Sequence, residues 1–492
     1  MVKTSEALMP VIAVDRRASS PLHRQIYDGF RTAIVHGNLR PGQRVPSSRT
    51  LSVDLGISRI PVLNAYAQLL AEGYFEGRKG AGTFVSESLP ETLAVCENQA
   101  PHAAPPGSGL RQVARRSLLT GTYEAPAWSR GWGAFCVHQP AFEQFPFPIW
   151  SGLVMRHCRN LSPGVIHNID PLGSESFREA ICTYLRTARA VHCQPSQVMV
   201  VSGSQQALAI TARVLLGPGS PIWFEEPGYR LARKVFAEAG CRLIPVPVDE
   251  EGMLVSAGIR RSPKARAVYV TPSHQYPLGA TMSASRRMQL LNWAQSSGSW
   301  IIEDDYDSEY RFESMPISSL QGLDRNARVI YVGTFSKVLF PSLRLGYIVI
   351  PQDLVDHFVA VRSAMDIFPP YLYQEVITDF MREGHFARHI RRMRLLYGER
   401  RTALVNNLRE HFGSTLELHG AQAGMHLAVT LPQGLSDHEI ATRAASKGLW
   451  LFPLSPSYLG ESPRQGFILG FSNIAAQEMS SAVQQFRTLL PK

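Results

Sequence analysis

Near the start of the chain, apolar positions recur at helical spacing. In PLHRQIYDGFRTAIVHG, Leu22, Ile26, Phe30, Ala33 and Ile34 share one helical face and Gly37 supplies a stop. After the turn LRPGQRVP, Ser47 or Ser48 can cap a second helix reaching Leu55, with Gly56 beyond it. Ser58 opens a third, SRIPVLNAYAQLLAEG, in which Val62, Ala65, Tyr66 and Leu69 repeat at helical spacing. Its Pro61 falls in the first turn, where a missing N–H costs nothing. Two short helices joined at Gly56-Ile57 predict a helix-turn-helix, and YFEGRKGAGTFV predicts a two-stranded ribbon with an exposed basic turn.

The pattern then lapses. Residues 88–133 are rich in Ala, Pro and Gly without sustained periodicity, which predicts a linker between a domain over 18–87 and a second over 134–490. In the second, short apolar runs alternate with helical patterns. The runs QVMVVSG, SPIWFEEPG, RAVYVTPS, SWIIEDDYD and RVIYVGTFS each precede a turn. That alternation predicts an α/β fold with a largely parallel sheet and a ligand at the carboxyl ends of its strands.

A chain of 492 residues with 45% hydrophobic and 18% charged residues is expected to fold as two or three domains. No apolar run reaches the roughly 18 residues of a membrane helix, and the N-terminus lacks a signal-peptide core. The six cysteines form no CxxC pair, so neither a zinc site nor a disulfide scaffold is indicated, and reduced thiols in the cytoplasm are expected. The net charge is +10, and the first 88 residues carry 11 Lys and Arg against 7 Asp and Glu, which suits a nucleic-acid partner.

A winged helix enters the major groove by the start of its third helix and touches the backbone or minor groove with its wing. Ser58, Arg59 and Asn64 are then the candidates on the reading helix. Ser47 and Arg49 stand at the preceding helix start, and Lys79, Gly80 and Thr83 on the wing. The stretch VPSSRTLSVDLGISRIPVLNAYAQLLAEGYFEGRKGAGTFV resembles the GntR winged-helix family, which implies double-stranded operator DNA as a partner. It departs from the family at Ile60-Pro61, where Asn-Thr is common.

Four stretches carry chemistry in the second domain. Lys337, set among Val338, Leu339 and Phe340, is an amine whose charged form is disfavoured. The hydroxyls of Thr334 and Ser336, with Arg344, suit a phosphate beside it. Ser204 and Gln205 open a helix after a Gly turn and can cradle the same phosphate. Tyr229 can stack on a flat ring. The run EDDYD packs four acids into five positions around Tyr306, a cost that implies a metal or a protonated nitrogen as partner; calcium-loop spacing and histidines are absent from it. Phosphate plus a Schiff-base lysine points to pyridoxal phosphate.

In order and spacing these stretches match aminotransferases of fold type I, and with the winged helix the chain resembles the MocR/GabR class of GntR regulators. The resemblance implies a C-terminal domain with a mostly parallel sheet and a smaller C-terminal subdomain, a homodimer, and pyridoxal 5′-phosphate as cofactor. It implies that Lys337 holds the cofactor as an aldimine, Asp304 meets the pyridine nitrogen, Tyr306 the ring hydroxyl and Tyr229 the ring face. Ser204, Gln205, Thr334, Ser336 and Arg344 would hold the phosphate. Two departures stand out: PSHQYPLG puts Tyr276 in the place of an asparagine, and GFILGFSN puts Ile468 where aminotransferases clamp the substrate carboxylate with arginine. Arg464 and Arg230 are the nearest substitutes. The expected function is a cofactor-dependent transcription regulator that senses pyridoxal phosphate or an amine or amino-acid effector. The rival is a working aminotransferase with a fused DNA-binding domain.

Overall fold

The computed structural model describes residues 12–78, 80–87, 126–129, 131–161, 167, 170–312, 317–460 and 463–491. The chain divides into two compact units, Met1–Gln112 and Val113–Lys492.

The first unit has three helices, α1 (Leu22–Val35), α2 (Ser48–Asp54) and α3 (Arg59–Ala71), followed by the antiparallel ribbon β1 (Phe75–Arg78) and β2 (Gly82–Val85). The Ser47 hydroxyl accepts from the Thr50 amide at 3.1 Å, so this serine is the cap that starts α2. Gly56, at φ +61°, turns the chain out of α2. The amphipathic faces close on one core, in which Phe30, Tyr66 and Phe75 meet edge to face at 5.2 to 5.5 Å between ring centres.

The second unit is built on an eight-stranded sheet, counted among the described residues. Its strands are β3 (Val198–Val201), β4 (Pro221–Glu226), β5 (Arg242–Asp249), β6 (Gly252–Met253), β7 (Ala267–Val270), β8 (Trp300–Asp305), β9 (Val329–Thr334) and β10 (Gly346–Val349), in spatial order 3-10-9-8-7-4-5-6. All five apolar runs form strands. β5, β4, β7, β8 and β9 are parallel neighbours. β10 runs antiparallel between β9 and β3. All four residues of β10 are buried, as in the neighbouring β3 and β9. Because the parallel strands share a direction, the loops after β4, β7, β8 and β9 open at one edge, where the β3 turn joins them.

A smaller antiparallel sheet, β11 (Glu417–His419), β12 (His426–Thr430), β13 (Phe452–Pro453) and β14 (Gly466–Gly470), packs its buried side with the long helix His385–Phe412 and with Met479–Arg487. Most of the stretch expected as linker lies outside the described residues, but its end is held by this subdomain. Trp450 donates its amide to Ala134 O at 3.1 Å and its indole N–H to Trp132 O at 2.9 Å. Among the described residues, no helix is long and apolar enough to cross a membrane.

Candidate functional site

A cavity opens where the parallel strands end. It is lined by every residue singled out for the cofactor: Lys337, Asp304, Tyr306, Tyr229, Ser204, Gln205, Thr334, Ser336 and Arg344. β3 delivers Ser204 and Gln205 through Gly203, the residue before the helix α4 (Ser204–Leu215). Gly203 sits at φ +96°, and a Cβ there would lie 3.2 Å from Arg344 Nη2. Glycine thus serves both the turn and the approach of the guanidinium to the helix start. Arg344 is anchored there by donating to Ser202 O at 2.6 Å.

The EDDYD run resolves residue by residue. Glu303 accepts the amides of Leu320 and Gln321 at 2.8 and 2.9 Å, capping a short helix. Asp305 is buried against Arg189 Nε at 2.7 Å and accepts from the Tyr331 hydroxyl at 2.5 Å. Asp307 accepts from His274 Nδ1 at 3.0 Å and from the Met425 amide at 3.1 Å. Asp304 alone of the four lines the cavity. Its Oδ2 accepts from the Tyr269 hydroxyl at 2.8 Å, while its buried Oδ1 has no partner.

Burial pushes the Asp304 carboxyl up to about 7, against the pull of Tyr269 and Lys337 and with Asp305 and Asp307 adding to the rise. Burial pushes Lys337 down to about 8, although Asp307 and Asp304 both favour its charged form. An amine so placed reaches its neutral, nucleophilic form close to neutral pH.

The residues present fit pyridoxal phosphate. A buried carboxylate oxygen without a donor and a buried Ser336 hydroxyl without a partner share one cavity with an amine of lowered pKa. Such unmatched groups are costly unless a ligand pairs with them. Asp304 would face the protonated ring nitrogen; Ser204, Ser336, Thr334 and Arg344 would take the phosphate. Tyr306 is oriented by donating to His274 O at 2.9 Å, and His274 in turn is tied to Asp307. A larger cavity of about 640 Å³, lined by Arg401, Arg409, Arg464 and Glu417 among others, contains no lysine and lies apart from these groups.

In the first unit Ser58 stands at the N-cap of α3, and Arg59 and Asn64 are exposed along its first turns. Arg59 Nε donates to Ser48 Oγ at 3.1 Å, linking the starts of α2 and α3. Arg49 is exposed in α2's first turn, Gly80 is exposed at φ +77° in the ribbon turn, and Thr83 lies half-buried on β2. Lys79 lies outside the described residues. This is the arrangement in which a helix start and a ribbon tip can reach one duplex.

Residues 22–85 match the model of the bacterial regulatory proteins of the gntR family, and residues 155–479 match that of aminotransferase class I and II. Over 97% of this chain and 95% of its own length, the probable rhizopine catabolism regulatory protein MocR of Rhizobium meliloti is 39% identical. The chain belongs to the MocR/GabR-type subfamily of GntR transcriptional regulators. Another relative of this MocR-type regulator is the pyridoxine biosynthesis regulator PdxR of Corynebacterium glutamicum, 29% identical over 94% of each chain. Among solved structures, LysN, an α-aminoadipate aminotransferase of Thermus thermophilus complexed with N-(5′-phosphopyridoxyl)-L-leucine, superposes with TM-score 0.69 at 27% identity. That match covers 76% of the MocR-type chain and 96% of LysN.

The cavity of this MocR-type protein has further lining residues that the sequence reading did not assign: His138, Leu231, Tyr269 and Thr271. Tyr269 and Thr271 end a strand that was predicted, so the carboxyl-end rule pointed to them. Leu231 lies in the same turn as Tyr229. His138 has no such signal: it sits in an irregular segment at φ +71° and is brought in by tertiary packing alone.

Proposed function

We propose that this regulator, acting in the cytoplasm as a homodimer, binds paired operator half-sites through Ser47, Arg49, Ser58, Arg59, Asn64, Lys79, Gly80 and Thr83. Its second unit senses pyridoxal phosphate, or an amine or amino-acid effector meeting that cofactor. Bound there, the cofactor supplies an aldehyde that condenses reversibly with primary amines. Lys337 would hold it through its side-chain amine. Asp304 would meet the ring nitrogen, Tyr306 the ring hydroxyl and Tyr229 the ring face, and Ser204, Gln205, Thr334, Ser336 and Arg344 would hold the phosphate. The observation that carries this is the partnerless, buried Asp304 Oδ1 in the cavity that Lys337 also lines.

Regulation requires that the ligand bind two arrangements of the dimer with different affinity, with a coupling of roughly 1 to 3 kcal/mol. An operator mobility shift with and without cofactor and amine tests it. The midpoint is expected to move about 5- to 150-fold, and to stop responding in Lys337→Ala. A midpoint indifferent to cofactor, amine and that substitution would remove the sensing role. Repeated release of keto acid from an amino acid would instead make the domain an enzyme.

A further inference from the structure

An α-amino acid carries its carboxylate on the carbon that bears its nitrogen. A site that receives that nitrogen beside Lys337 must therefore also receive an anion a few ångströms away. Among the described lining residues the cations are Lys337 and Arg344. Arg344 stands at the start of α4, 3.2 Å from where a Gly203 Cβ would be, in the group with Ser204, Thr334 and Ser336 that takes the phosphate.

The rest of the described wall offers no further cation to a second anion. His138 is kept neutral by burial, with Lys337 and His426 adding to the effect. Leu231 lines the rim and is 40% exposed. Tyr276 backs onto Leu454 and Ile468 in an apolar cluster, and Ile468 is fully buried on β14 between Ala428 and Phe452. Acids are plentiful: Asp304 lines the cavity, Asp307 is paired with His274, and Glu225 accepts from the Thr271 hydroxyl at 2.7 Å while its other oxygen is buried without a partner. Carboxyl groups in these positions supply no cation to a second anion. Arg230 is not among the residues lining the cavity, and Arg464 lines the separate larger one.

Resting on the cofactor reading above, we infer that the effector is a primary amine with no carboxylate on the carbon bearing its nitrogen. Its remaining substituent meets Leu231 and Tyr276, so an uncharged group suits it.

The test uses the full chain loaded with pyridoxal phosphate and pairs of ligands that differ only in the carboxylate: benzylamine against phenylglycine, and isobutylamine against valine. Half-saturation is read from the visible absorbance and from the operator shift. The amines are expected to bind about tenfold to a hundredfold more tightly, the penalty for leaving a desolvated anion unpaired. Leu231→Arg, at the exposed rim, is expected to narrow or reverse that ratio, as is Ile468→Arg if the buried strand accepts it. Amino acids that bind as well as the amines, or better, overturn the inference, most directly if Arg230→Ala abolishes their binding. An unchanged ratio in a Leu231→Arg protein that still binds operator overturns it as well. Protein that takes up no cofactor and shows no visible band overturns the parent reading, and is told apart from those results by the missing band.

Discussion

Asp304→Asn is expected to have opposite effects on the cofactor-free and cofactor-loaded protein. In the free protein the Asp304 carboxyl titrates near 7 against an ordinary value of 3.8. Between those values the unfolded chain has lost a proton that the folded one keeps, so stability falls as pH rises from about 4 to about 7 and stays low above. At about 1.4 kcal/mol per pH unit the loss is at most about 4 kcal/mol. Asparagine keeps an oxygen for the Tyr269 hydroxyl and removes the charge. The variant should match the wild type near pH 4 and exceed it by up to about 4 kcal/mol at pH 8.

Lys337 works in the opposite window. Its folded value of about 8 lies below the ordinary 10.5, so its contribution is present above 10.5 and is lost as pH falls toward 8. Losing the Asp304 charge, which favours the charged amine, moves that lower limit further down. With cofactor bound the sign reverses, because asparagine carries no negative charge to set against a protonated ring nitrogen. A hydrogen bond to a charged group contributes about 1.5–3 kcal/mol, or roughly 10- to 150-fold in cofactor affinity. Urea midpoints across pH, with and without pyridoxal phosphate, measure both limbs. An Asp304→Asn protein less stable than wild type at pH 8 without cofactor, or one that binds cofactor equally well, would refute the assignment of Asp304 as the cavity's uncompensated carboxylate.

Three further outcomes follow from the geometry. Arg189→Met leaves Asp305 buried without its 2.7 Å partner and should cost about 3–5 kcal/mol by denaturant midpoint, with Asp305→Asn in the same chain recovering part of it. Gly203→Ala forces a side chain into φ +96° and toward Arg344, so cofactor uptake measured by fluorescence should weaken by about tenfold or more while β-sheet content by circular dichroism is unchanged. Arg59→Ala removes an exposed cation at the start of α3 and should lower operator affinity; if its contact is to phosphate, the slope of log K against log salt falls by about 1.

What could be read from the sequence followed from local rules. The three helices of the first unit show because each has an apolar face, a serine at its start or a glycine at its end, and the five strands before turns show because apolar runs end in glycine, proline or acid. β10 did not show as a strand, unlike the equally buried β3, β7, β8 and β9, and its antiparallel direction is set by its place between β9 and β3, the second distant in sequence. The same limit applies within the site. Four acids in five positions announce that something must balance them, but their spacing cannot say which one faces the ligand. Partners far along the chain decide it: Arg189 takes Asp305, His274 and Met425 take Asp307, and the start of a short helix at Leu320 takes Glu303. Asp304 is left facing the cavity because each of its neighbours is drawn to a partner elsewhere, and that exclusion is a property of the packed fold. The same reasoning explains why Ile468 was noticed and His138 was not. Ile468 breaks a pattern that an amino-acid clamp would need, whereas His138 reaches the wall from an irregular segment whose course only the subdomain packing determines.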